Sequence, residues 1–150
     1  MEPKTNITSS AQETEIDAIP DEERLIRRIN SKHHVIFNQN LGARRLSTKA
    51  FSAADADKKM SVDLEQCIQD RGEDPAEYVT QSEKIDGAVV FPAAVVRKKN
   101  LEVERAPAPD NPCHGNVYKL PEPGNLNKRQ KRHLLTNCKW LVEIPGVRLG

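Results

Sequence analysis

The chain has few aromatic residues, only three cysteines, no long apolar run and almost no net charge. Each shortage excludes something. Aromatics are 4% of the 150 residues, which argues against a protein working only by stacking the bases of single-stranded nucleic acid. No apolar stretch approaches the roughly 20 residues that cross a bilayer, so no membrane contact is expected. The N-terminus has no basic region leading into an apolar core, so it does not read as a secretory signal. Cys67, Cys113 and Cys138 are odd in number and far apart. Without a signal, that predicts reduced thiols in a cytoplasmic protein. No phosphate loop or nucleophile signature is present. His33, His34, His114, His133 and the cysteines lack the paired spacing of a zinc site, so neither metal nor cofactor is expected. Whether the chain is an enzyme, and which residue would be catalytic, is left open.

What is present suggests a small core. Hydrophobic residues are 37% of the chain and prolines number ten. Proline ends helices and avoids central strands, so short elements and many loops are expected. Residues 1–19 are rich in Thr, Ser, Glu and Gln and read as a disordered acidic tail. Residues 20–145 are expected to form a single domain, with 146–150 as a C-terminal tail. The net charge of +1 conceals an asymmetry. Residues 1–23 carry seven acids against Lys4, and residues 121–150 carry six bases against Glu122 and Glu143. The two ends would attract each other, or the basic end would meet an anionic partner.

The chain reads as organised around Arg45-Leu46-Ser47-Thr48-Lys49-Ala50-Phe51 and the following Met60-Ser61-Val62-Asp63-Leu64. In the second block apolar and polar residues alternate with the period of a half-buried strand. The pair reads as two strand-like pieces joined by a polar loop that would close over a ligand, or as a plain hairpin edge. Asp21 and its neighbouring acids predict a helix over about 21–30, with a strand at Leu25–Ile29 as the alternative. Further strands are expected at 33–37, 89–91, 101–104 and 114–120. Short helices are expected at 65–71, before Gly72, and from Asp74-Pro75. The longest helix is expected over 125–142, where Leu134, Leu135, Cys138, Leu141 and Val142 form a stripe. With no regular βαβ alternation, the fold class is α+β: short, mostly antiparallel strands and a C-terminal amphipathic helix.

Two sites stand out. Asn111-Pro112-Cys113-His114-Gly115 places a histidine at the mouth of a strand after a Pro-rich loop. A buried Cys113 and a His114 bonded to a nearby loop is the plain alternative to chemistry there. Lys128, Arg129, Lys131 and Arg132 crowd the start of a helix, where cations run against the helix dipole. They form a candidate anion-binding site, or a solvated basic face.

The islands Leu25-Ile26-Arg27-Arg28-Ile29, Arg45 to Phe51, Ser61-Val62-Asp63 and Asn111-Pro112-Cys113-His114 resemble a group of small bacterial proteins from mobile-element and defence gene clusters. The resemblance spans about residues 24–140 through these islands alone. Thr48 stands where the group commonly has Ser, and Gly115 where it has Ala. The group carries no assigned activity, so the resemblance implies a setting: an accessory or interaction module acting through a protein partner. An Arg followed by Ser-Thr before an aromatic is also similar to ADP-ribosyltransferase-like and NAD-cleaving domains. That analogy implies a nucleotide site built from Arg28, Arg45, Ser47, Thr48, Asp63 and His114, with Glu102 or Glu104 as the nearest catalytic acid. The third reading is nucleic-acid contact through the basic 128–132 segment.

Overall fold

The computed structural model describes residues 18–54 and 56–149. The expected acidic tail therefore lies outside the described residues, apart from Ala18 and Ile19. Ile19 is only 4% exposed and sits in the core, so ordered packing starts before Pro20.

The expected α+β fold is what forms. Six strands make one wholly antiparallel sheet in the order β6-β7-β4-β1-β5-β8. They are β1 (Arg24–Ile29), β4 (Met60–Leu64), β5 (Gly87–Pro92), β6 (Leu101–Arg105), β7 (His114–Lys119) and β8 (Lys139–Val142). A smaller sheet, β2-β3-β9, contains β2 (Val35–Asn38), β3 (Ala43–Leu46) and β9 (Val147–Arg148). In it β3 runs antiparallel to β2 and parallel to β9.

Strand alternation gives the large sheet two different faces. Leu25 and Ile29 of β1, Met60, Val62 and Leu64 of β4, and Val89 and Phe91 of β5 enter the main core. There Phe51 meets Phe91 with ring centroids 6.1 Å apart. Burying each such side chain contributes about 1.5–3 kcal/mol. The core is closed by α4 (Ala93–Arg97) and α5 (Lys128–Thr136), and by a 3-10 helix over Thr48–Phe51. On the opposite face Ile26, Ala88 and Val90 pack with Ile68 of α2 (Glu65–Asp70) and Val79 of α3 (Pro75–Val79). A one-turn helix, α1 (Ser31–His34), links β1 to β2.

Local signals placed the short helices. Asp74 caps α3 by accepting from the Glu77 amide at 3.1 Å, with Pro75 in its first turn. Gly72, with φ at +76°, follows α2. Asn127 and Gln130 form a reciprocal capping box at the start of α5.

Four expectations are corrected. The segment 24–29 is a strand, not part of a helix, because it lies between β4 and β5 and shares backbone hydrogen bonds with both. The 45–51 and 60–64 blocks do not pair: β3 belongs to the small sheet and β4 to the large one. The 125–142 stripe is helical only over Lys128–Thr136, and Lys139–Val142 instead pairs with β5. Val147 and Arg148, expected in a tail, form β9, with Val147 4% exposed. A fifth correction concerns the thiols. Cys67 and Cys113 are joined by a disulfide with their Cα atoms 5.4 Å apart, and only Cys138 is free.

Candidate functional site

The site forms where β1 and β4 part. β1 pairs with β5 along all six residues but with β4 only at Leu25 and Ile26. The Arg27 side chain fills the split. Its Nε donates to Ala50 O at 2.7 Å, Nη1 to Ser61 O at 2.8 Å and Nη2 to Ser52 O at 3.4 Å. Burial lowers its pKa to about 10, partly offset by the nearby Asp63 carboxylate, so it stays charged at neutral pH. Arg27 thus ties β1 to β4 and to the 3-10 helix.

The next residue, Arg28, projects from the other face. Its Nε and Nη2 grip Asp63 Oδ2 and Oδ1 at 2.8 and 3.1 Å. Asp63 is 2% exposed, and its remaining need is met by Asn111 Nδ2 at 2.8 Å. Side-on pairing fixes the guanidinium plane. Arg28 Nη1 has no partner among the described residues. The Tyr78 ring lies 6.0 Å from the Arg28 guanidinium carbon. The Tyr78 hydroxyl donates to Asn111 Oδ1, which also accepts from the Cys113 amide. Burial, with the negative charge of Asp63, holds the Tyr78 phenol above its ordinary pKa, so it remains a donor.

Strand register brings His114 to the same place, because it sits opposite Asp63 across β4 and β7. Its Nδ1 is 2.8 Å from the Ala106 carbonyl. A carbonyl only accepts, so Nδ1 carries the hydrogen and the neutral ring keeps its lone pair on Nε2. Gly115 follows. A Cβ there would lie 2.9 Å from Glu104 O, which is a physical reason for glycine at this position.

Together these residues line an open cleft of about 510 Å³ whose walls are Arg28, Tyr78, Gln81, Ser82, Ala108, Asp110, Asn111 and His114. A narrower pocket of about 140 Å³ beneath it reaches Arg27, Ser61 and Asp63. The Cys67–Cys113 bridge ties α2 to the loop that presents Asn111 and His114.

Three of the six residues expected to share a site do so: Arg28, Asp63 and His114. The other three lie elsewhere. Arg45 sits in β3 opposite Ile36 and Arg148. Ser47 is buried and caps the 3-10 helix, accepting from Lys49 N at 3.1 Å, and Thr48 is the first residue of that helix. The ADP-ribosyltransferase-like arrangement therefore does not assemble. Glu104 instead pairs with Lys59 at 2.8 Å and Glu102 with Arg97 at 2.8 Å. Lys128, Arg129, Lys131 and Arg132 are on α5, which packs on the main-core face rather than over the cleft.

Sequence reasoning missed Arg27 and Tyr78 and used Asn111 only as part of an island. Arg27 had a signal: it occupies a core-facing position between Leu25 and Ile29. Tyr78 had none, because its role depends on α3 docking beside the 111–114 loop.

Among the described residues, no group of three or more His, Cys, Asp or Glu side chains is placed to hold a metal ion, and no helix is long and apolar enough to cross a membrane. No family model, no curated protein and no solved structure matches the chain.

Proposed function

We propose that the cleft binds a small molecule through a carboxylate or phosphate group. One observation carries this reading: Arg28 is locked in place by buried Asp63 while its Nη1 has no partner among the described residues, and it borders the same cleft as His114. A guanidinium held this way presents planar donors suited to an oxyanion and loses little entropy on binding. His114 Nε2 and the Ser82 and Gln81 side chains add polar groups that would orient the rest of the ligand. A concave site with a few convergent polar groups is the usual form of a small-molecule site. No Ser, Thr or Cys side chain is hydrogen-bonded to His114 among the described residues, so the reading is binding rather than turnover.

The test is a titration of isotope-labelled protein with adenosine monophosphate, succinate and inorganic phosphate, followed by amide resonances. Saturable shifts centred on Tyr78, Asn111 and His114, weakened by His114→Gln and lost in Arg28→Gln, are expected. If none of the three probes moves these resonances at millimolar concentration, the reading fails.

The reading as an accessory module for a protein partner rests on a separate place. The β2–β3 hairpin leaves Ile36 and Phe37 exposed at 37% and 61% on edge strand β2, and Leu41 at 42% in the turn that follows it. Phe37→Asp should abolish co-purification of such a partner and leave cleft titrations unchanged. A partner that still co-purifies with the variant overturns this contact.

A further inference from the structure

The cations of this molecule differ in whether the fold engages them. Arg24, Arg28, Lys59, Arg71 and Arg97 each pair with a carboxylate. Lys49, Lys98, Lys99, Lys128, Arg129, Lys131 and Arg132 make no ion pair among the described residues. Other cations without an ion pair among the described residues, such as Lys32, Lys58, Lys84, Lys119 and Lys139, lie elsewhere, but these seven sit on or beside neighbouring elements. Gln130 Nε2 donates to Lys99 O at 2.8 Å, and His133 Nε2 is 2.8 Å from Val95 O. These bonds hold the end of α4, with Lys98 and Lys99, against the first turns of α5. The 3-10 helix that carries Lys49 packs on α5 as well. On α5 itself Gln130, Leu134 and Leu135 face inward, while Lys128, Arg129 and Arg132 are exposed. Residues 93–99 and 125–136 contain no Asp or Glu. The result is one basic surface whose charges have no carboxylate partner among the described residues.

From this surface we infer a second binding activity: contact with the phosphate backbone of duplex nucleic acid. A cluster of unpaired cations is self-repelling, and a polyanion relieves that repulsion while releasing its own counterions. Duplex rather than single strand follows from the side chains present. Trp140, Tyr78 and Tyr118 are partly buried, and Phe37, the one large aromatic that is well exposed, lies on the small sheet. Base stacking therefore has no platform beside the cations, and phosphate contact does. The surface reads no sequence, because Lys and Arg on an exposed helix face meet phosphates without fixed donor pairs to bases.

The experiment is fluorescence anisotropy of a short labelled DNA duplex with the full chain, repeated with the matching single strand and with labelled polyglutamate. Binding through four or five phosphates predicts an affinity loss of roughly 50- to 150-fold between 50 and 150 mM salt. Two duplexes of unrelated sequence should bind alike. Lys128→Glu with Arg129→Glu should weaken duplex binding at least about tenfold, and Lys98→Gln with Lys99→Gln several-fold. Both should melt like the wild type, since no ion pair among the described residues is broken. His114→Gln should bind duplex unchanged, which separates this activity from the cleft. Absence of duplex binding at low salt overturns the inference. So does unchanged duplex binding by both charge variants, and so does polyglutamate binding as tightly as duplex, which would identify an acidic protein surface as the partner.

Discussion

The two helical layers on opposite faces of the large sheet differ in what they do with charge. Residues 65–84, which include α2 and α3, carry six acids against Arg71 and Lys84. Many of these groups are engaged: Glu65 with Arg24, Asp70 with the Gln66 side chain, Glu73 with Arg71, and Asp74 as the cap of α3. Beneath that layer Arg28, Asp63, Asn111 and Tyr78 form a chain of hydrogen bonds, with the Tyr78 ring beside the Arg28 guanidinium at its ends. The α4–α5 layer carries seven cations and no acid in residues 93–99 and 125–136, and among the described residues only Arg97 is ion-paired, to Asp21 and Glu102. Charge on the first face holds the fold and shapes a cleft. On the second face, Arg97 apart, charge has no carboxylate partner among the described residues.

The contrast breaks first at Asp63. Asp63→Ala should destabilise the protein by about 3–5 kcal/mol, because it strands a partly buried guanidinium and an Asn111 donor. A denaturant midpoint close to wild type would show that this network is not structural. The disulfide comes next. Reducing Cys67–Cys113, which closes a loop of 46 residues, should cost about 2–4 kcal/mol. Hydrogen exchange should then accelerate at Asn111 and His114 and stay slow in α5. Equal acceleration in both layers would mean that the bridge supports the whole fold rather than the cleft side.

His34 sharpens the same point with pH. Burial, followed by the charges of Arg27 and His33, lowers its pKa from 6.5 to about 4. Its Nδ1 accepts from the Asn30 amide at 3.0 Å, a bond that only the neutral ring makes. The unfolded chain takes up this proton near pH 6.5 and the folded chain only near 4. Stability should therefore fall as pH drops through that window. The ring is only half-buried, so the loss is on the order of 1–2 kcal/mol after solvent screening. His34→Gln should flatten the pH dependence of the melting temperature between those values, and an unchanged slope would assign it to other groups. The smallest effect is expected on the basic face. Lys128→Gln with Arg129→Gln should change stability by less than about 0.5 kcal/mol, read from the denaturant midpoint. A larger loss would mean those cations are paired after all.

Much of the local structure was legible in the sequence. The alternation of Met60, Val62 and Leu64 fixes β4 and its core face. The run Ala88 to Phe91 is apolar because both faces of β5 are covered. Asp74-Pro75 and Gly72 mark helix ends by chemistry confined to a few neighbouring residues. Asp63 shows the limit of that reading. It falls on the polar side of the alternation, yet it is buried, because Arg28 and Asn111 reach it from 35 and 48 residues away.

By itself the sequence determined the class of fold, the strands with clear period, the caps and the two charge-rich segments. These depend on side chains within one turn or one pleat of each other. Tertiary structure decided the rest. Whether Leu25–Ile29 and Lys139–Val142 are helix or strand depended on β5, which offers both of them backbone partners. Whether Arg45 or Arg28 joins Asp63 depended on which sheet each strand entered. Whether Cys67 and Cys113 meet depended on α2 docking beside the 106–113 loop. A strand's hydrogen bonds are completed by distant residues, and a one-residue change of register moves every side chain to the other face. The site made of Arg28, Asp63, Asn111 and His114 therefore exists only once β1, β4 and β7 are side by side.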